Sequence, residues 1–200
     1  MSELLVVTPL SLERLAVRAA RRPVEVVRTG MGPGRSEQAL ERLTAAPARA
    51  LAVVGFCGAL DDTLRPGELV VAGELRDPEG GVIACPGAEA LVEQLVRAGL
   101  RARVGTIASA RRLVVGDARG RLAAAGAIAV DMESAWLAQA AVGRPFAVVR
   151  VVVDTPDREV HRPLATVNGV LRACAVLRRA VRPLEVWART ASSGATVEGI

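Results

Sequence analysis

The sequence predicts a three-layer α/β domain, in which helices cover both faces of a central sheet. Short runs of β-branched residues alternate along the chain with amphipathic stretches rich in Ala, Arg and Leu. Several of these short runs are apolar throughout, as expected for strands that are covered on both faces. A chain of 200 residues fits one domain with a sizeable core, and we expect that domain to span residues 1–190.

Seven apolar or β-branched runs are predicted as strands: Leu4–Thr8, Val24–Arg28, Ala50–Gly55, Glu68–Leu75, Arg103–Ala108, Ala127–Asp131 and Phe146–Asp154. Six amphipathic stretches between and after them are predicted as helices: Ser11–Arg21, Gly34–Ala45, Gly87–Ala98, Arg119–Ala124, Met132–Ala141 and Leu164–Arg189. Ser11 is expected to cap the first helix, and Pro183 to kink or split the last one. The linker-like composition of Ala191–Ile200 predicts a disordered tail.

The residue types that are missing exclude several kinds of chemistry. All 26 basic residues are arginine, so neither a Schiff-base lysine nor the lysine of a P-loop is available. One histidine, His161, and three widely spaced cysteines cannot form a zinc site built on several histidines or on a close cysteine pair. No nucleophile elbow accompanies His161, which is interpreted as an exposed loop residue. Carboxylates remain as the catalytic candidates, and no metal or cofactor is expected.

Composition also limits the partners and the compartment. The net charge is +5, but aromatic residues make up 2% of the chain and the arginines are scattered, so no nucleic-acid partner is expected. No apolar run reaches the roughly 18 residues of a membrane span, and Met1–Leu5 lacks the basic region of a signal peptide. We therefore expect a cytoplasmic protein. Trp187 and the arginines of the last helix leave a peripheral membrane contact open, although a core-packed helix with a solvated arginine face is favoured.

Two carboxylates stand where apolar segments end. Glu133 follows the buried run Ala127–Val130 and opens a predicted helix, and Asp154 ends the strand that begins at Phe146. A carboxylate where a buried strand emerges is poorly solvated, so its proton affinity can be tuned for acid chemistry. The pair predicts cleavage of a polar bond by a general acid, while the second carboxylate binds hydroxyl groups of the substrate.

Two glycine clusters also lie at predicted strand ends. Gly30–Gly34 precedes a helix, and Gly55–Gly58 follows the strand that begins at Ala50. Glycines there allow backbone to approach a ligand closely, and ligands of open α/β sheets bind at the carboxyl ends of strands. The spacing Gly32-Pro33-Gly34 does not match the dinucleotide fingerprint. The clusters thus indicate a ligand site of another type.

From Leu4 to about Val181 the chain resembles the nucleoside phosphorylase/nucleosidase superfamily. Asp131-Met132-Glu133-Ser134-Ala135 is similar to that family's ribose-binding helix start, and Arg150-Val151-Val152-Val153-Asp154 to the strand that ends in its catalytic aspartate. Gly55–Leu60 and Leu64–Val71 resemble its glycine turn and the continuation of that turn. Within the superfamily, these motifs look most like the hopanoid-associated branch. The resemblance implies a nucleoside phosphorylase-like fold around a central twisted mixed sheet.

The resemblance also implies roles for individual residues. Asp154 would protonate the leaving purine, Glu133 would accept hydrogen bonds from ribose hydroxyls above Met132, and Glu13 would handle water. The base and the sugar would contact the segments Gly55-Phe56-Cys57-Gly58 and Leu113-Val114. Several of these residues also have a purely structural interpretation. Glu133 would be a first-turn glutamate favoured by the helix dipole, Phe56 and Leu113-Val114 would be core residues, and Cys57 would be a small packing residue.

Hydrolysis is favoured over phosphorolysis on the same resemblance. At the glycine turn, hexameric phosphorylases carry a sequence similar to Arg-Val-Gly-Ser-Cys-Gly-Ala, in which the arginine and the serine hold phosphate. This chain has Val53-Val54-Gly55-Phe56-Cys57-Gly58-Ala59 at the same place and lacks both of those residues. A rebuilt anion site would use Gly32, Arg35 and Arg111, or Arg112. Arg111 stands where the nucleosidases usually carry an acidic residue.

Three hypotheses follow for the function. The first is release of adenine from an adenosylated lipid of the adenosylhopane type. The second keeps the chemistry but takes methylthioadenosine, S-adenosylhomocysteine or futalosine, with a nucleoside phosphorylase as the runner-up activity. The third, from another class, is a silent nucleoside-binding scaffold. The resemblance further implies a homodimer or larger homo-oligomer.

Overall fold

The computed structural model describes residues 2–155 and 163–194. Within these residues the chain forms eight strands: β1 (Ser2–Thr8), β2 (Glu25–Arg28), β3 (Ala48–Ala59), β4 (Leu69–Arg76), β5 (Val82–Ala84), β6 (Ala102–Ser109), β7 (Ala129–Asp131) and β8 (Phe146–Asp154). The same residues form six α-helices: α1 (Ser11–Arg18), α2 (Pro33–Ala45), α3 (Ala88–Arg97), α4 (Asp117–Ala124), α5 (Ser134–Leu137) and α6 (Pro163–Gly194). A 3₁₀ turn, Ala138–Ala141, extends α5.

The strands form one mixed sheet. The order along the sheet is β2-β1-β3-β7-β6-β4-β5, and β8 pairs with both β3 and β4. β1 is parallel to β2 and β3, β3 is parallel to β8, and β6 is parallel to β4 and β7. β4 runs antiparallel to β5 and β8, and β7 runs antiparallel to β3. The prediction of a mixed sheet with helices on both faces is confirmed.

Each face of the sheet buries its own core, as the alternation of side chains along a strand requires. On β1, Leu4 and Val6 belong to a core cluster that includes residues of α1, α3 and α6. Leu5 and Val7, their neighbours on the same strand, belong to a second cluster that includes residues of α2 and α5. All four side chains are fully buried, which explains why Leu4–Val7 is an unbroken apolar run.

The long pairing of β3 with β8 brings the two halves of the predicted site together. The strands are in register from Leu51 opposite Phe146 to Cys57 opposite Val152, and the register then shifts so that Gly58 lies opposite Asp154. A shift of this kind bends a strand and re-aims the side chains next to it. Asp154 is thereby held beside the glycine turn of β3.

Several element boundaries differ from the prediction. The residue that caps α1 is Leu10, not Ser11, because the Glu13 carboxylate accepts the Leu10 N–H at 2.7 Å. The predicted helix Met132–Ala141 is shorter, since α5 begins at Ser134 and then tightens into the 3₁₀ turn. The helix α6 is not split at Pro183.

The ends of the chain differ as well. The helix α6 continues to Gly194, beyond the predicted start of the tail at Ala191, and residues 195–200 lie outside the described part. His161 also lies outside it. Trp187 is buried in the core, as expected for a core-packed last helix. Among the described helices, none has the length and hydropathy to cross a bilayer.

Candidate active site

A cavity of about 210 Å³ opens where β1, β3, β7 and β8 end. Four buried carboxylates line it: Asp131, and three others that each come from a different part of the sequence. Glu13 lies in the first turn of α1, Glu133 directly follows β7 and Asp154 ends β8. Their exposed fractions are 1%, 4% and 8%. Four acidic groups held out of water in one cavity are costly for folding, which points to a functional site.

Glu13 is fixed by two backbone N–H groups. Its Oε2 atom accepts from Leu10 and its Oε1 atom accepts from Phe56, at 2.7 and 2.8 Å. Burial raises its pKa to about 7, against the opposing effects of nearby Arg150 and of these two hydrogen bonds. Glu13 therefore changes its charge close to neutral pH. A general base that acts at neutral pH needs a pKa in this range.

Glu133 is held between a backbone donor and an arginine. Its Oε1 atom accepts the Gly32 N–H at 3.0 Å, and its Oε2 atom lies 3.3 Å from Nη2 of Arg150. Burial raises its pKa, and the attraction of Arg150 opposes that rise. The backbone is set by Asp131, whose Oδ1 accepts the Glu133 and Ser134 N–H groups at 3.1 and 3.2 Å. The Glu133 carboxylate thus stands at the cavity as an oriented acceptor.

Arg150 is the cation that balances these acids. It is fully buried, and its Nε atom lies 2.8 Å from Oδ2 of Asp131. It also donates to Ser134 Oγ, at 2.9 Å from Nη2. Burial alone would lower the pKa of Arg150, but Asp131, Glu133 and Glu13 raise it, so it stays charged. One guanidinium therefore offsets part of the repulsion among these carboxylates.

Asp154 has a different partner. Its Oδ2 atom accepts from Nη2 of Arg119 at 2.5 Å, and Arg119 is 5% exposed. Both side chains lie against Gly58, where an added Cβ would collide with the Arg119 guanidinium and the Asp154 carboxylate. Gly55 is constrained in the same way, because a Cβ there would meet Arg150 and Glu13. The two glycines leave the space that the charged side chains occupy.

Most of the remaining predicted contact residues lie at the same cavity. The cavity is lined by the predicted residues Phe56, Cys57, Gly58, Leu113, Val114 and Met132. Leu113 is 67% exposed and stands at the mouth, whereas Cys57 is buried. The structure therefore brings together residues that are more than 100 positions apart in sequence.

The three residues predicted for an anion site each have other contacts in the structure. The Gly32 N–H is engaged by Glu133, and the Arg35 side chain packs on Gly30. Arg111 is paired with Glu79 and stands 5.9 Å from the ring centroid of Trp136. Neither arginine is among the cavity-lining residues, whereas Arg112 is.

Arg119, Arg150 and Asp131 were missed as site residues by the sequence analysis. Arg150 carried a signal, because it interrupts the otherwise apolar run of β8, and a charge inside a buried strand needs buried partners. Asp131 belongs to the motif that was recognised, but its backbone contacts were not foreseen. Arg119 carried no local signal, since it lies in a short polar helix among exposed residues.

The geometry suits a reaction that needs one acid, one base and one charge stabiliser. The three carboxylates differ in their partners: Arg119 for Asp154, two backbone amides for Glu13, and Arg150 with the Gly32 N–H for Glu133. Carboxylates in unlike environments take different protonation states and so different roles.

Comparisons with known proteins agree with this architecture. A family model described as the phosphorylase superfamily matches residues 6–182. A futalosine hydrolase of Helicobacter pylori superposes with a TM-score of 0.78 at 16% identity, over 90% of this chain and 96% of that one. An S-adenosylhomocysteine nucleosidase from Streptococcus pyogenes, in complex with 5-methylthiotubericidin, gives 0.73 at 23% identity, over 90% and 96%.

A third structure is the H. pylori 5′-methylthioadenosine/S-adenosylhomocysteine nucleosidase with butyl-thio-DADMe-Immucillin-A, which gives a TM-score of 0.78 at 17% identity over 95% of this chain and 99% of that one. At these identities the likeness establishes the fold. Comparison with curated protein sequences finds no significant match.

Proposed function

The chain belongs to the phosphorylase superfamily, and from that premise we propose that it hydrolyses the N-ribosidic bond of a 5′-substituted adenosine with release of adenine. The observation that carries the proposal is the cavity into which Glu13, Glu133 and Asp154 converge, each buried and each with different partners. The structurally similar hydrolase and nucleosidases support the same reaction class.

Each carboxylate has one role in the proposed mechanism. Asp154 gives a proton to N7 of the base as the bond between C1′ and N9 breaks and its electron pair leaves with the base. Glu133 accepts hydrogen bonds from the ribose hydroxyls above Met132, and its negative charge stabilises the positive charge that develops on the ribose. Glu13 takes a proton from the water whose oxygen bonds to C1′. The products are adenine and the 5′-substituted ribose.

The cavity wall supports water over phosphate as the nucleophile. Glu13 stands where the nucleophile would enter, and a phosphate dianion next to a buried carboxylate would be repelled. Phe56 offers an apolar side chain at the glycine turn, and Arg35 and Arg111 do not line the cavity. Phosphorolysis, which the family name suggests, would need a dianion site, and of the three arginines predicted for one only Arg112 lines the cavity.

The residues at the cavity mouth support a substrate with an apolar 5′-substituent. Adenosylhopane is our leading candidate for that substrate. Met31 and Leu113 line the cavity yet are 57% and 67% exposed. Exposed apolar side chains at the rim of a pocket favour a ligand that covers them. We propose a cytoplasmic protein that would reach a lipid substrate of this kind through a peripheral membrane contact.

A series of 5′-alkylthioadenosines tests this proposal. We expect kcat/KM for adenine release to rise with chain length, by up to about fourfold for each methylene that becomes buried, since one buried CH₂ contributes about 0.8 kcal/mol. Met31→Ser and Leu113→Ser should reduce the rise of kcat/KM with chain length. Val142→Ser, at an exposed position that does not line the cavity, should leave that rise unchanged. A series in which longer chains react no faster than the methylthio compound would contradict an apolar substrate.

We also propose that the chain forms a homodimer or larger homo-oligomer. Leu12 and Leu15, on the helix that carries Glu13, are 43% and 66% exposed. A second copy of the chain would bury this apolar surface. Light scattering that finds a fully active monomer would contradict it.

A further inference from the structure

The exposed side of α6 carries charge of one sign. Among residues 169–192, five arginines are exposed: Arg172, Arg178, Arg179, Arg182 and Arg189. The one acid in this range, Glu185, is 3% exposed and accepts hydrogen bonds from Arg22 and Arg189. On this part of α6, no exposed carboxylate therefore balances the arginines.

The segment that follows α1 extends this basic surface. The Arg22 guanidinium lies 2.7 Å from the Glu185 carboxylate, which holds the segment against α6. A surface cavity of about 330 Å³ is lined by Arg22 together with Arg178, Arg179 and Arg182. Arg178 and Arg182 are exposed and make no ion pair within the described part of the chain. Their charges are therefore available to an anionic partner.

Exposed aliphatic side chains lie among the arginines. Leu171 is 62% exposed and Val186 is 38% exposed. An α-helix turns by about 100° per residue, so Leu171, Arg178 and Arg182 lie on one side of α6, and Val186 lies next to them. The exposed side of α6 thus combines cationic groups with aliphatic side chains.

Other helices of the chain expose charges of both signs. Arg35, Glu37, Glu41 and Arg42 are all exposed on α2, and Glu93 pairs with Arg97 on α3. Mixed charge of this kind is typical of a helix face that only contacts water. A face of one sign instead produces a positive field that attracts an anionic surface.

We propose that the exposed side of α6, together with Arg22, docks on an anionic phospholipid membrane. The planar guanidinium groups pair with phosphate oxygens, and the aliphatic side chains of Leu171 and Val186 enter the boundary between head groups and acyl chains. From Leu171 to Arg189 the helix is about 27 Å long, so many head groups can engage it at once, whereas one small anion cannot.

A membrane fits this face better than a nucleic acid does. Single-stranded nucleic acids bind through bases that stack on aromatic side chains. The aromatic residue of this part of α6, Trp187, is buried in the core and cannot stack with a base. The docking surface does not depend on which reaction the cavity performs.

Co-sedimentation of the full chain with lipid vesicles tests the proposal. We expect binding to vesicles that mix phosphatidylcholine with phosphatidylglycerol, no binding to phosphatidylcholine alone, and weaker binding when salt is added, because salt screens the attraction. In the double variant Arg178→Gln/Arg182→Gln, the partition coefficient on the anionic vesicles should fall by about 25-fold. That is about fivefold for each arginine, the attraction that one basic residue gains near such a surface.

The helix α2 offers a matched control. Arg35→Gln/Arg42→Gln removes the same charge from a helix that packs on the opposite face of the sheet, so its partition coefficient should stay close to the wild-type value. Equal losses in the two double variants would overturn the proposal, as would a wild-type protein that does not bind anionic vesicles. Binding to single-stranded RNA without binding to vesicles would overturn it in favour of a nucleic-acid partner.

The vesicle assay is read separately from base release. Arg178→Gln/Arg182→Gln should release adenine from soluble 5′-methylthioadenosine at the wild-type rate, because neither arginine lines the active-site cavity. If the wild-type protein releases no base, the proposed function fails and the vesicle result still decides the docking surface. Thermal unfolding verifies that both double variants are folded.

Discussion

Asp154→Asn is expected to lower kcat for base release by about 10²- to 10⁴-fold, the range that general acid catalysis provides. Asparagine preserves the shape of the side chain but has no acidic proton for N7, so the base must leave as an anion. The Arg119 guanidinium, 2.5 Å from the carboxylate, would stabilise the charge left on Asp154 after proton transfer. That stabilisation is lost together with the proton.

Initial rates of adenine release measure the effect of this substitution. Asp62→Asn, at an exposed position that does not line the cavity, should leave kcat unchanged. If Asp154→Asn still binds the nucleoside and releases base at the wild-type rate, the residue is structural. If the wild-type protein itself binds a nucleoside without cleaving it, the chain is a binding protein.

Glu13→Gln is the second substitution with a large expected effect. A glutamine cannot take a proton from water, so we expect kcat/KM to fall by about 10²- to 10⁴-fold. The base must be ionised to act, and burial raises the Glu13 pKa to about 7. The rising limb of the wild-type pH profile of kcat/KM should therefore lie near pH 7, whereas the residual activity of the variant should lack this limb.

The raised pKa of Glu13 also predicts how the stability of the folded protein depends on pH. Because its pKa in the folded protein exceeds the unfolded value, the folded state retains a proton between about pH 4.5 and 7 that the unfolded state releases. The contribution of Glu13 to stability is present below this window and is lost as pH rises through it, by about 3 kcal/mol.

Urea denaturation at pH 5 and pH 8 measures the stability difference. Wild type should lose more stability than Glu13→Gln between the two values, while Glu41→Gln, at an exposed position, should follow wild type. Parallel losses in wild type and Glu13→Gln would show that the carboxyl titrates as if solvated.

How far the sequence predicts this fold depends on how much of each element is buried. β1 and β8 are mostly buried and largely apolar, and their bounds were predicted within two residues. β5 was missed because Val82–Ala84 is a three-residue edge strand, too short for a periodic pattern. The start of α5 was predicted two residues early, since the carboxylate of Asp131 accepts the Glu133 and Ser134 N–H groups and holds Glu133 outside helical geometry.

Some site residues could be predicted from their local sequence, whereas others acquire their roles only through contacts in the folded chain. Glu133 and Asp154 were singled out because each follows an apolar run, and the structure places both at one cavity. Arg150 and Arg119 acquire their roles only through pairing: Arg150 contacts Asp131 and Glu133, and Arg119 contacts Asp154, 35 positions away. The apolar run around Arg150 marks it as buried but does not name its partners, and in a chain whose 26 basic residues are all arginine nothing local separates Arg119 from the solvated ones.

The most direct test of the central claim is base release from 5′-methylthioadenosine in buffer without phosphate and in buffer with excess phosphate, with the sugar product identified. We predict equal rates and a ribose that carries a free hydroxyl at C1′ under both conditions. Release that requires phosphate and yields the ribose 1-phosphate would contradict hydrolysis. It would also assign an anion site to this cavity despite the carboxylate of Glu13.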